Sequence, residues 1–172
     1  MAELEITPEV FTADYTGEPG RRAFYLQSRG EEGVLSLAIE KQQVAVLAEE
    51  LRKLLIGLDA EDTVVSAPPA RDPALKLSDP VEPRWRVGAM GLAYEGEADR
   101  IVLLAQPAEA DPEPEVEEGG LRFVLRRDQV RAFVLHTVAV VDEGRPTCQL
   151  CGLPIDPEGH MCPASNGHRA LV

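Results

Sequence analysis

The chain has few of the side chains on which most catalytic sites depend. It contains three cysteines and three histidines among 172 residues. It has no glycine-rich phosphate loop, no serine, histidine and aspartate in a catalytic order, and no His-Glu-x-x-His motif. His136 falls within a helical pattern, where a histidine is more often a packing residue than a reactive one. This scarcity leaves catalysis uncertain and favours a non-catalytic protein.

Long apolar runs and a basic N-terminus are also missing. No stretch approaches the roughly 18 apolar residues that are needed to span a bilayer. The first residues, Met-Ala-Glu-Leu-Glu, are acidic where a signal peptide carries positive charge. We therefore expect a cytoplasmic protein.

Positive charge is scarce as well, because the formal net charge is −13. Residues 145–172 carry Arg145 and Arg169 against Asp156 and Glu158, so this tail is neutral and residues 1–144, the body, hold the whole excess. Nucleic-acid affinity rests largely on neutralising phosphates. A nucleic-acid reader is therefore the lowest of the functional hypotheses.

Hydrophobic periodicity divides the body into two similar halves. Residues 1–58 and 84–144 each show three strand patterns followed by a helical pattern, and residues 59–83 form a proline-rich linker between them. A shift of 86 residues superimposes the two strand–helix junctions, so that Gln43 and Val44 fall on Gln129 and Val130. We predict an α+β fold of two βββα-like halves, with one antiparallel sheet and both helices on one face. The alternative to an internal duplication is a chance similarity between two amphipathic helices. The predicted strands are residues 10–15, 23–27, 34–39, 84–94, 101–106 and 121–125, and the predicted helices are 44–58 and 130–141.

Two further segments have a distinctive composition. The linker contains five prolines between residues 68 and 83, which predicts an extended arm on the surface. Residues 107–120 contain six carboxylates and no base, which predicts a solvated hairpin tip.

The matched Gln43 and Gln129 would each lie at the third helical position, where a glutamine amide accepts a hydrogen bond from the N-cap N–H.

The tail carries a set of metal ligands. Cys148 and Cys151 are followed by His160 and Cys162, and thiolates with imidazole are the ligands that a structural, four-coordinate zinc prefers. We predict a zinc knuckle or ribbon that contributes structure and not chemistry. His168 is the competing fourth ligand, and a redox pair, an iron–sulfur site or a disulfide are the alternatives to zinc.

A second group of polar residues could bind an anionic ligand. Glu40 and Lys41 end a predicted strand, Gln43 follows on the helix, and Arg86 lies on another strand. Surface ion pairing is the simpler explanation of the same residues. We also expect Tyr25 and Trp85 to be exposed on the sheet.

Several motifs together resemble the DUF3090 family of proteins of unknown function. They are Phe24-Tyr25-Leu26-Gln27, the run Ile39-Glu40-Lys41-Gln42-Gln43-Val44, Arg86-Val87-Gly88-Ala89-Met90 and the cysteine-rich tail up to Asn166-Gly167. The resemblance covers nearly the whole chain, although Arg126-Arg127 stands where the family pattern leads us to expect Thr-Pro. Members of this family often sit beside genes for a phosphatidylinositol-kinase-like and a histidine-phosphatase-like protein, which implies a link to phosphoryl chemistry.

Three functional hypotheses follow. The leading one is a non-catalytic, zinc-containing binding or adaptor protein with a kinase-like or phosphatase-like partner or a small phosphorylated ligand. The second is an enzyme that acts on a small anionic substrate through Glu40, Lys41, Gln43 and Arg86. The third is a nucleic-acid reader that uses the zinc ribbon.

Overall fold

The described part of the chain forms two helices and one seven-stranded sheet, followed by a short strand pair in the tail. The structure, a computed structural model, describes residues 4–18, 20–61, 67–108, 119–143, 148–151, 160–161 and 169–170. Most of the acidic stretch, residues 109–118, lies outside this set. The elements are β1 (Leu4–Ile6), β2 (Val10–Thr16), β3 (Ala23–Gly30), β4 (Gly33–Ile39), α1 (Lys41–Leu58), a 3₁₀ turn (Pro73–Leu75), β5 (Pro83–Glu95), β6 (Arg100–Pro107), β7 (Leu121–Leu125), α2 (Arg127–Asp142), β8 (His160–Met161) and β9 (Arg169–Ala170).

The apolar periodicity of the sequence places the helices and most strands correctly. Strands β3 and β4 form a tight hairpin in which Gly33 adopts a φ of 87°, a conformation that suits glycine. Both helices begin three residues earlier than the apolar pattern predicts, because their first turns are polar. Neither helix is long and apolar enough to cross a membrane, and no other helix of the described chain is.

The sheet is mixed, so the prediction of an antiparallel sheet is wrong. Its strand order is β1-β7-β6-β5-β4-β3-β2, and the pairs β4–β5 and β1–β7 are parallel. Helix α1 and the linker carry the chain back across the sheet between β4 and β5, which is the connection that a parallel pair requires. Strand β1 has only three residues, too few to produce an alternating pattern in the sequence.

The two halves share one pairing scheme. In the first half Leu26 lies opposite Leu37, and in the second half Leu103 lies opposite Phe123, which is 86 residues after Leu37. Strand β5 pairs in parallel with β4 at its start and antiparallel with β6 thereafter. In the first half, two strands make these two kinds of pair separately. Strand β1 pairs in parallel with β7, and β2 pairs antiparallel with β3.

The sheet curls until its two edges meet. Strands β1 and β2 are at opposite ends of the order, which in a flat sheet would separate them by about 29 Å. Only residues 7–9 connect them, a link that spans at most about 15 Å. The rings of Phe11 on β2 and Phe123 on β7 lie 5.1 Å apart between centroids. The curled sheet and the buried faces of both helices, which pack against each other, enclose one hydrophobic core.

The second part of the proline-rich linker, residues 67–82, lies against β2 and β3; we call it the arm. Thr12 donates a hydrogen bond to the Leu75 carbonyl at 2.6 Å. The Gln27 amide bonds both the N–H and the carbonyl of Ser78, at 2.8 and 3.0 Å. Arg29 donates to the Ala74 carbonyl and to the Ser78 hydroxyl. Side chains of the sheet thus satisfy the backbone of an arm that has no strand partner of its own in the described chain.

Candidate functional site

A cleft opens where the start of α1 meets β3, β4 and the start of β5. Its volume is about 590 Å³, within the usual range for small-molecule sites. Three of its lining side chains are basic and one is acidic, and we call it the cationic cleft. The lining residues are Gly20, Arg22, Ala23, Phe24, Tyr25, Ala38, Ile39, Glu40, Lys41, Pro83 and Arg86.

Arg22 is held in this cleft by an aromatic ring. Its guanidinium carbon lies 4.2 Å from the centroid of the Tyr15 ring, a cation–π arrangement. The Nε of Arg22 is buried and has no hydrogen-bond partner among the residues that the structure describes. A buried donor without an acceptor is costly.

The structure brings three of the four predicted ligand-binding residues together. Arg86 donates to Glu40 at 2.7 Å, and both side chains are more than half exposed. Lys41 is exposed at the first position of α1. Arg22 was missed by sequence reasoning, because it follows a Gly/Pro turn whose direction no local pattern reveals.

Gln43 is used for structure. Its Oε1 accepts from the N-cap N–H of Glu40 at 2.9 Å, and its Nε2 donates to the carbonyls of Val87 and Gly88 at 3.3 and 3.0 Å. The amide therefore ties the start of α1 to β5. The predicted capping role is confirmed, and a ligand-binding role has little hydrogen-bonding capacity left to it.

Gln129 repeats these contacts at the start of α2. Its Oε1 accepts from the Arg126 N–H at 2.9 Å, and its Nε2 donates to the carbonyls of Pro8 and Glu9 at 2.9 and 3.1 Å. Each helix is thus joined to the first strand region of the other half of the body.

The prediction that Tyr25 and Trp85 are exposed on the sheet is wrong. Tyr25 and Trp85 are both half-buried, and Trp85 packs against the hydrophobic core. Tyr25 lines the cationic cleft. The packing of Trp85 against the core depends on how the whole sheet closes, which an isolated strand pattern cannot reveal.

His136, for which the helical pattern predicts a packing role, lies in a buried polar cluster. Its Nδ1 accepts from the Asp72 N–H at 3.0 Å, and its Nε2 lies 3.1 Å from Oδ2 of Asp14. Because Nδ1 is an acceptor, the ring proton is on Nε2 and donates to the carboxylate. The histidine therefore joins α2, β2 and the arm.

Arg71 of the arm completes the cluster. It donates two hydrogen bonds to Asp14, at 3.0 and 3.1 Å, and also binds Glu143, which accepts from the Tyr15 hydroxyl at 2.7 Å. Burial alone would raise the pKa of Asp14. The hydrogen bonds from His136 and the Tyr15 N–H, with the charge of Arg71, outweigh burial and hold that pKa below its usual value.

The same contacts shift two other groups. Hydrogen bonds from Arg71 and then Tyr15 hold the pKa of Glu143 below its usual value against the effect of burial. The pKa of Tyr15 is raised, chiefly because its hydroxyl donates to Glu143. The cluster is thus built to keep both carboxylates ionised around a fixed arginine.

The predicted zinc ligands are described only in part. Cys148 is buried and Cys151 is half-buried, in a turn. His160 lies in β8, which pairs with β9. Cys162 lies outside the described residues, and within the described ones no group of three or more ligating side chains comes together. The ligand set remains a prediction.

These features define the class of protein before its family. The body is an α+β fold with a curled mixed sheet and a cationic cleft at the start of its first helix. The family described as "Protein of unknown function (DUF3090)" matches residues 6–162, and the chain belongs to it. No curated protein and no solved structure matches the chain.

Proposed function

We propose that the protein is a non-catalytic binding protein whose cationic cleft takes a small phosphorylated ligand. The observation that carries this proposal is the grouping of Arg22, Lys41 and Arg86 in one cleft of a protein with a net charge of −13. The positive charge of the cleft attracts anions, whereas the negative charge of the rest of the chain repels them. Arg22 is held in place by the Tyr15 ring, which fixes one of these three charges.

The contacts of the polar residues support binding over catalysis. Both ring nitrogens of His136 are bonded within the fold. Gln43 is occupied by three backbone groups, and Glu40 is paired with Arg86. A general base has to be able to approach a substrate proton. The enzyme hypothesis therefore relies on Glu40 leaving Arg86 when a ligand enters.

The tail and the partner complete the proposal. Cys148, Cys151, His160 and Cys162 would hold a structural zinc that folds the tail, since so short a segment has little apolar content of its own. The protein would act in the cytoplasm as an adaptor for a kinase-like or phosphatase-like partner. The family resemblance and the chemistry of the cleft support this role.

The test is calorimetric titration with inorganic phosphate, pyrophosphate and glycerol 3-phosphate. We expect Lys41→Gln and Arg86→Gln each to weaken binding about tenfold, the loss of one charge-assisted contact. Lys53→Gln and Arg52→Gln remove the same charge from α1 outside the cleft and serve as matched controls. Raised salt should weaken binding of the wild type.

Two results would count against the proposal. Equal losses in the cleft and control variants would mean that overall charge, and not the cleft, binds the anion. Turnover of a phosphorylated compound, abolished by Glu40→Gln, would establish the enzyme hypothesis instead.

A further inference from the structure

The two halves of the body meet through equivalent helix–strand contacts. Gln43 bonds the carbonyls of residues 87 and 88, and Gln129 bonds those of residues 8 and 9. The glutamines are 86 residues apart and the carbonyls 79. The strand registers are consistent with this second shift. Phe11 lies opposite Ser28 and Met90 opposite Ala105, and the offset of 77 residues between Ser28 and Ala105 is the one that also relates Leu26 to Leu103. The start of α1 is therefore tied to β5 as the start of α2 is tied to the residues before β2. Beyond these starts the two halves differ, because α2 packs closely on β2 and α1 does not pack closely on β5.

Two phenylalanines fill the space between α2 and β2. The rings of Phe11 and Phe133 stack with centroids 5.2 Å apart, and both side chains are fully buried. The corresponding positions between α1 and β5 carry Met90 and Leu47. Neither side chain has an aromatic ring, and both are smaller than phenylalanine.

An open groove of about 680 Å³ lies between α1 and β5 as a result. Val46 on its helix side is 53% exposed, unusual for a large apolar residue beside a core. Strand β5 is paired with β4 through Pro83 and Arg86, and beyond this point its partner among the described strands is β6 alone. We call this space the α1–β5 groove; its lining residues are Glu40, Gln42, Gln43, Val46, Leu47, Glu50, Gly88, Met90, Gly91 and Leu92.

The charge of the groove is opposite to that of the cationic cleft. The charged side chains among its lining residues are Glu40, the N-cap of α1, and Glu50, within α1. Their present partners, Arg86 and Lys53, form exposed ion pairs, which exchange readily with competing cations. The groove thus combines an apolar floor, an incompletely paired strand and an acidic rim.

We propose that the α1–β5 groove binds an extended segment of a partner protein that carries an aromatic side chain close to an arginine or lysine. The aromatic ring would fill the space that Phe11 and Phe133 fill in the other half. The basic residue would pair with Glu40 or Glu50, and the backbone would run along β5, as in other cases where a strand is added to a sheet. This partner site goes beyond ligand binding in the cationic cleft.

The experiment uses a displayed library of random 12-residue peptides selected on the full-length protein. We expect enrichment of peptides with an aromatic residue within a few positions of arginine or lysine. The best peptide is then synthesised and titrated against the Val46→Lys and Val34→Lys variants. Val46 lines the groove, whereas Val34, 48% exposed in the β3–β4 hairpin, provides the same substitution at a distance.

We expect Val46→Lys to weaken the peptide at least tenfold and Val34→Lys to leave its affinity unchanged. Replacing either the aromatic or the basic residue of the peptide should cost a similar factor. The proposal is overturned if no such peptides are enriched, or if the selected peptide binds Val46→Lys as tightly as the wild type. Circular dichroism of both variants verifies that the exposed substitutions leave the fold intact.

Discussion

Nε2 of His136 donates a hydrogen bond to Oδ2 of Asp14 over 3.1 Å, and the two residues are only 1% and 3% exposed. They are 122 positions apart in the chain. The other ring nitrogen accepts from the N–H of Asp72, so one imidazole fastens the arm to both β2 and α2. Burial of this kind makes each partner dependent on the others, because a buried polar group that loses its bond keeps its desolvation cost.

We expect His136→Ala to destabilise the protein by about 3 kcal/mol, since it leaves Asp14 and the Asp72 N–H short of a partner and opens a cavity. The arm should loosen first. Lys76 is an exposed trypsin site within the arm, so its cleavage under native conditions should accelerate. Urea unfolding and timed trypsin digestion measure the two effects.

Thr137 provides the matched control on the same helix. Its hydroxyl is buried and has no partner within the described chain. Thr137→Val removes an unsatisfied group with little change of shape, so stability should stay the same or rise by up to about 1 kcal/mol. If both substitutions destabilise equally, the hydrogen bonds of His136 are not what holds the arm.

Acid should weaken the same cluster. Asp14 and Glu143 have lowered pKa values in the folded protein, so on acidification the unfolded chain takes up protons first. Their contribution is fully present near neutrality and is lost as the pH falls below about 5. Urea titrations between pH 7 and pH 3 should therefore show a steep loss of the free energy of unfolding.

Glu143→Gln tests the origin of that loss. The variant should be about 1 kcal/mol less stable than the wild type at pH 7, and the difference should shrink as the pH falls toward 3. Glu31→Gln, in the exposed β3–β4 turn, makes the same change of charge elsewhere. A parallel pH dependence of all three proteins would contradict the assignment.

The sequence predicts what depends on neighbouring residues and misses what depends on closure of the fold. Strand β7 is predicted to the residue, and the capping role of Gln43 follows from its place at the third helical position. The parallel β1–β7 pair, the stacking of Arg22 on Tyr15 and the His136–Asp14 bond join segments whose meeting no local pattern encodes. The cleft was therefore predicted through Glu40, Lys41 and Arg86 without its Arg22.

Gln43 offers a test that separates capping from the bond between the two halves. Gln43→Glu keeps an acceptor for the N-cap N–H but loses the donors to Val87 and Gly88 and sets a carboxylate against their carbonyls. We expect a loss of about 2 kcal/mol in the free energy of unfolding. Gln42→Glu, one residue earlier and exposed, should be neutral or slightly stabilising near the helix N-terminus. Similar losses in both variants would show that charge in the first turn, not the bond to β5, is responsible.

Metal analysis tests the tail. We expect about one zinc per chain, measured by mass spectrometry on protein purified without added metal, because three thiolates and one imidazole close a tetrahedral shell. Cys148→Ser, Cys151→Ser, His160→Ala and Cys162→Ser should each lower the zinc content. A chelator should unfold the tail and leave the melting of the body unchanged, since the hydrophobic core cluster of the described residues is built from residues 6–140.

His168→Ala is the control for the choice of the fourth ligand. If the ligands are the four predicted, this variant keeps its zinc, and the cysteines stay protected from alkylation as in the wild type. Loss of zinc from His168→Ala, with retention of zinc in His160→Ala, would show that His168 and not His160 is the fourth ligand. Bound iron, or thiols that oxidise reversibly without metal, would make the tail a redox element, because a closed zinc shell holds both thiolates of a Cys-x-x-Cys pair away from oxidants.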